Sequence, residues 1–524
     1  MKKTIFYLLL ILNLLLPLTI ISNTLDGDLG WHLRFGQKLH TGNFPYLDTY
    51  TYSKHGNPWT NHEWGGDWLF WLIYSNLGYF GLVIITSLAI TLAFLIIGQT
   101  FFHKITSIFL TISLVCQWTI THILVARLAM FTALFAALII YLLERSKNND
   151  KFLYIIAPVL YLWSVLHGSW ILGFIIINIY LVTAVTNKVI PIKYQFWLKE
   201  KSWTNNFIYK IIFIQLLASG LIIINPYGIK IWQEIIGYFG QNYYKAHITE
   251  WVPSYTFPIF WKILILQTIA LVFVIYGFSK KQINLTHLLL FIAFYYVAIT
   301  YKRQGLLIGL LSAPVLYGTI DNASKIFNAK NRFQNNLNKK IIYFFLIITL
   351  IILSLNYLLK IHYSPDIWAD KIVAKNNSFP YEAVTWLKTN TKSNLKIFNE
   401  FSWGGYLNWT VPYDLVYFDG RGAATWRYDN RRTLLEHYFE ILDKSEGLKE
   451  IENDGADLVF LRRANFIPLA KPDVVNNWFF GDSYLKNYIE KNQLEKNLDE
   501  SKNWQKIYTD KQANIWQNLN RAPK

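Results

Sequence analysis

The residues able to do chemistry crowd into one short stretch. Residues 26–67 hold Asp26, Asp28, His32, Arg34, Asp48, His55, His62, Glu63 and Asp67, directly after an apolar run. Asp28, with Asp26, Glu63 or Glu250 as a second acid, suits a general base or a ligand for a divalent metal such as Mg2+ or Mn2+. Carboxylates accept protons, and their oxygens match hard cations. Arg127, Lys302 and Arg303 offer the charge and donor geometry that phosphate oxygens require. His32, Arg34, His62 and His167 complete the candidate ligand-binding set. Plainer roles compete with these. Asp26 or Asp67 can cap a helix, His167 beside Gly168 suits a tight turn, and Arg127 can anchor at an interface by its aliphatic stem. "HEW" at 62–64 lacks a second histidine four residues on, where Gly66 stands, and this argues against a zinc protease.

Composition sets what must position these groups. The chain has 524 residues, 53% hydrophobic and 17% aromatic, with 16% charged. Soluble domains carry about 25% charged residues, so an integral membrane protein with aromatic belts is expected. Apolar runs near 4–22, 80–100, 106–121, 128–143, 152–167, 170–186, 209–225, 257–277, 285–300, 304–320 and 341–359 predict about eleven spans. The first reads as a retained anchor rather than a cleaved signal peptide. Segment 67–77 reads as an interfacial helix.

Alternating these spans puts the N-terminus in the cytoplasm. The inside segments then carry seventeen Lys and Arg, against eight in the outside loops that precede the last span. That asymmetry also accounts for much of the net charge of +17 and disfavours a nucleic-acid partner. Residues 1–360 are thus expected to form a transmembrane domain whose first external loop, 23–66, carries interfacial helices. Residues 361–524 are expected to form an extracytoplasmic α/β domain. Within it "NLKIFNE", "DLVYFDG" and "ADLVFLRR" read as strands, "PYEAVTWLKTN" and "NRRTLLEHYFEILDK" as helices, and "NWQKIYTDKQANIWQNL" as a closing hairpin. Cys116, the single cysteine, excludes an intramolecular disulfide and a cysteine-based zinc cluster.

In the tail, Trp403, Tyr406, Asp419 and Arg421 lie close together in "WGGYLNWTVPYDLVYFDGR". Aromatic faces there would stack on sugar rings while Asp and Arg bind hydroxyls. A buried strand–turn–strand with a structural Asp419–Arg421 pair is the competing reading.

Asp28, His32 and Arg34 make a D-x-x-x-H-x-R run that resembles the first external loop of the oligosaccharyltransferase catalytic subunit. The order of "D-x-D-x-x-W-H-L", "G-x-P-W-x-x-H-E-W", "HG-x-x-x-G", "NPYG" and "GGYL…DGR" is similar to that of a bacterial group of GT-C-like membrane proteins, over residues 25 to about 425. The resemblance implies an α-helical polytopic GT-C fold and an inverting glycosyltransferase. It places Asp28 at that family's first-loop carboxylate, a metal ligand or a catalytic base. No D-x-D follows the third span, where "THILVARLAM" has no acid, and this favours a single-sugar transferase or a modifier of lipid-linked glycans. The expected partners are the bilayer, a polyprenyl-phosphate sugar donor and a glycan, lipid or protein acceptor of the cell envelope. A transporter or flippase would place polar groups at midplane on repeated halves, and neither feature is present in the sequence. A non-catalytic glycan-binding membrane protein is the remaining alternative.

Overall fold

The computed structural model describes residues 1–190, 205–248, 250–255, 261–330, 336–376, 378–463 and 493–521. By contacts the chain divides into two compact units. The first comprises Met1–Asn23, Val83–Ile229 and Ile248–Tyr363, the second Thr24–Leu82, Lys230–His247 and Ser364–Lys524. Residues 24–66, read from sequence as a loop of the membrane part, thus pack with the tail.

The first unit is helical. Every apolar run expected as a span falls on a helix. Among the described residues seven helices are long and apolar enough to cross a membrane, Lys2–Ser22, Trp64–Phe102, Leu128–Ser146, Gly168–Val189, Asn206–Ile223, Trp261–Ser279 and Ile341–Leu359. Three more apolar helices, Ser107–Thr119, Lys151–Leu166 and Leu285–Thr300, are shorter. Seven of the eleven expected runs thus have the length and composition of a span among the described residues. Runs such as 106–121 lose residues to the turns that end them, as at Ile120 after Thr119.

Several polar residues inside these helices are paired, as a medium without water favours. Asn13 donates to Leu110 O at 3.0 Å and accepts from Ser113 Oγ at 2.7 Å and Gln117 Nε2 at 2.9 Å. This network sits beside a core of Ile5, Leu9, Leu12, Leu110 and Leu350. Glu144 accepts from Tyr180 Oη at 2.7 Å and lies 3.0 Å from His287 Nε2.

The second unit is built on a five-stranded sheet of β1 (Lys396–Asn399), β2 (Leu415–Val416), β3 (Leu458–Arg462), β4 (Trp504–Thr509) and β5 (Ala513–Asn518), ordered β2-β1-β3-β5-β4. The β1–β2 and β1–β3 pairs are parallel, and β3–β5 and β4–β5 antiparallel. Strands and hairpin form where alternation and turn residues predict them. So do the helices Tyr381–Asn390 and Leu434–Asp443, the latter opened by a Thr433–Glu436 capping box.

The first loop joins this sheet. Tyr52 N donates to Val416 O at 2.9 Å, and Thr51 bridges Val416 in parallel, lengthening the β2 edge. Its helix Leu29–His40 packs on helix Gly404–Thr410 through glycines. A Cβ on Gly30 would stand 2.0 Å from Gly405 O, and one on Gly405 2.2 Å from Gly27 O. Only hydrogen fits at either position. Helix Trp64–Phe102 breaks at Gly78, whose φ of 63° suits a residue without a Cβ, and this isolates Trp64–Leu77 as its own helical arm.

Candidate functional site

Glu63 and Asp67 stand four apart at the start of helix Trp64–Phe102, and Asp67 N donates to Glu63 O at 2.9 Å. One helical turn therefore aligns the two carboxylates on one face. Opposite them, helix Leu29–His40 presents His32. His32 Nδ1 lies 2.5 Å from Asp67 Oδ1, and Nε2 lies 3.7 Å from Glu63 Oε2. All three side chains are buried.

The outer oxygens have partners of their own. Asn61 Nδ2 donates to Asp67 Oδ2 at 2.6 Å, and His62 Nε2 lies 3.4 Å from Glu63 Oε1. The Asn61 side chain is itself braced by Glu63 N at 2.9 Å. Burial opposes protonation of His62, but Glu63, Glu234 and Asp67 outweigh it and hold the ring above its ordinary range. Glu234, on helix Lys230–Gly237, accepts from Thr425 Oγ1 at 2.9 Å, and burial raises its carboxyl.

Asp28 lies outside this convergence. It is the N-terminal flanking residue of helix Leu29–His40, and its amide donates to Asp26 Oδ1 at 3.0 Å, which makes Asp26 a turn residue. The Asp28 carboxylate rests on Gly420, where a Cβ would come within 2.3 Å of Oδ1. Among the described residues, the three-donor group able to hold a metal is His32, Glu63 and Asp67. Sequence reading left Asp67 open between a helix cap and a functional acid, and missed Asn61 and Glu234. The available signal was the four-residue spacing of Glu63 and Asp67.

Four tail residues expected to bind ligand are interior instead. Trp403 and Tyr406 are each 0% exposed. Trp403 Nε1 donates to Ser378 O at 3.0 Å, and Tyr406 stacks on Phe379 at 4.8 Å. Neither of these two rings keeps an exposed face. Arg421 forks onto Asp419, with Nε to Oδ1 at 2.9 Å and Nη2 to Oδ2 at 2.7 Å, and its Nη1 lies 2.8 Å from Asp48 Oδ1. The guanidinium lies 4.5 Å from the Tyr50 ring centre and 4.6 Å from that of Trp59. Burial would lower its pKa, but Asp419 and Asp48 dominate and raise it. Arg34 is a brace as well, donating to Asn408 O at 3.1 Å and to Pro412 O.

The first unit gathers the remaining candidates. Glu250 lies 2.6 Å from Arg127 Nη1 and 3.0 Å from Arg303 Nη1. Burial pushes its carboxyl up, but Arg127, Arg303 and Lys302 outweigh this and hold it well below the usual range. Lys302 is lowered to about 8 by burial, with Glu250 opposing. Burial, Lys262 and Lys302 bring His122 to about 3. Two guanidinium groups thus share one carboxylate, with Lys302 adding its field. His167 caps its own turn, its Nδ1 accepting from Ser169 N at 3.1 Å.

No protein-family model matches the sequence, and no curated protein matches it. Solved structures do. The Archaeoglobus fulgidus oligosaccharyltransferase AglB, in complex with an inhibitory peptide and a dolichol-phosphate, is similar at a TM-score of 0.53 and 13% identity, over 87% of this chain and 69% of that one. The same enzyme in apo form matches at 0.52 and 12%, with the same coverage. ArnT from Cupriavidus metallidurans, bound to undecaprenyl phosphate, matches at 0.52 and 10%, over 100% of both chains. In fold, this chain is thus similar to these solved GT-C structures.

Proposed function

We propose that this protein is a multi-pass membrane glycosyltransferase. It moves a sugar from a polyprenyl-phosphate donor to a cell-envelope glycan, lipid or protein acceptor on the external face. The observation that carries the reading is a carboxylate- and imidazole-rich first loop, with Asp28 at its head, in a chain of GT-C fold. Similar structures bound to dolichol-phosphate and undecaprenyl phosphate support the lipid-phosphate donor.

In this reaction the acceptor oxygen forms a bond to the anomeric carbon as the bond from that carbon to the phosphate oxygen breaks. The acceptor proton passes to a base, and the phosphate leaves with its charge on the lipid. Asp28 is the proposed base, its carboxylate half-buried and set on the Gly420 backbone. Within the first unit taken by itself, Arg127, Lys302 and Arg303 carry the guanidinium forks and ammonium group that match phosphate oxygens.

Membranes containing the full chain are expected to release polyprenyl phosphate and form a glycosylated product from a panel of lipid-linked sugars. Asp28→Asn should lower that rate by about two to four orders of magnitude, the usual contribution of a general base, with expression unchanged. Wild-type turnover by Asp28→Asn would remove Asp28 from the role. Movement of intact lipid-linked sugar without phosphate release would replace the transferase reading with transport.

A further inference from the structure

The geometry points to a divalent transition-metal site made by His32, Glu63 and Asp67, separate from Asp28. The three donors come from two segments of the first loop and lie within 4.8 Å of one another. Each carboxylate is split between two tasks. Asp67 Oδ2 and Glu63 Oε1 face Asn61 and His62, while Oδ1 and Oε2 face the imidazole. This is how ligating carboxylates are usually held, with an outer hydrogen bond fixing the oxygen that does not bind the metal.

Charge supports the assignment. Two buried carboxylates, Glu63 and Asp67, face His32, with His62 beside the outer oxygen of Glu63. A divalent ion neutralises both carboxylates and takes a neutral histidine as its ligand. One nitrogen and two oxygens with positions left open suit Zn2+ or Mn2+. Mg2+ favours oxygen ligands and retained water. Local spacing supplies the preorganisation, since Glu63 and Asp67 are one turn apart and their helix begins at the Asn61 turn. The ion would stabilise the first loop by tying helix Leu29–His40 to helix Trp64–Phe102. It deepens the transferase reading by supplying an electrophile beside the first loop, but its binding does not depend on that reading.

The test uses the full chain in detergent, stripped with a chelator and titrated with Zn2+, Mn2+ and Mg2+ by equilibrium dialysis and elemental analysis. One equivalent of Zn2+ or Mn2+ is expected, with Mg2+ bound much more weakly. Co2+ should give visible ligand-field bands that are lost in His32→Ala. Glu63→Gln and Asp67→Asn keep side-chain shape and should each abolish saturable binding. Asn61→Ala, which touches no metal, should weaken it by about ten- to a hundred-fold. Asp28→Asn should bind as the wild type does. Absence of saturable transition-metal binding by the wild type overturns the proposal whatever the variants do. So does loss of binding in Asp28→Asn with retention in His32→Ala. Sugar transfer by the stripped protein is read separately, so a missing metal and a missing transferase activity are told apart.

Discussion

Among the charged residues of the second unit, Arg421 is enclosed by two carboxylates and three aromatic faces, and is 3% exposed. The Asp–Arg pair of the tail is therefore architecture, and its removal should be felt in stability. Arg421→Met keeps volume but leaves Asp48 and Asp419 buried without their cation, a loss of about 3–5 kcal/mol for a broken buried pair. Denaturant unfolding in detergent should show it, and an unchanged midpoint would refute the structural role. The sequence left this pair open between sugar binding and packing, because residue type does not reveal burial.

At the level of elements, close helix contact is bought with glycine. Helix Leu29–His40 reaches helix Gly404–Thr410 only because neither Gly30 nor Gly405 carries a Cβ. Gly30→Ala would set a methyl 2.0 Å from Gly405 O, an approach the backbone must shift to relieve. The expected cost is at least the roughly 1–3 kcal/mol of ordinary overpacking, seen as a lower melting temperature. Gly220→Ala is the control. Nothing lies within 4 Å of a Cβ there, and the change should be neutral or slightly stabilising, since alanine favours helix. The "GGYL" run, met in sequence as a motif, thus has a packing explanation at its second glycine.

For the whole molecule, orientation follows from charge. From the excess of Lys and Arg in alternate loops we expect the N-terminus in the cytoplasm and the tail outside. A reporter active only outside the cytoplasm should be active when fused after residue 521 and silent when fused within 144–151. The reverse pattern would invert the topology and place the first loop, with its carboxylates, in the cytosol. The two-unit division makes the fusion point matter. The segment Lys230–His247 lies between first-unit segments in sequence yet belongs to the second unit.

Sequence by itself determined what depends on local pattern. Apolar length marked the helices, alternation and turn residues marked the strands β1 to β5, and residue type picked out His32, Glu63, Arg127, Glu250 and Arg303 one by one. Each follows from neighbours a few residues away, which is the range over which periodicity, capping and turn chemistry act. Tertiary structure alone decided which polar residues meet. It brought Asp67 and Asn61 to His32, left Asp28 beside Gly420, and closed Trp403, Tyr406, Asp419 and Arg421 into the interior. It also joined residues 24–82 to a sheet more than three hundred residues later in the chain. Such long-range pairings are set by burial and close packing between distant segments, and no local pattern encodes them.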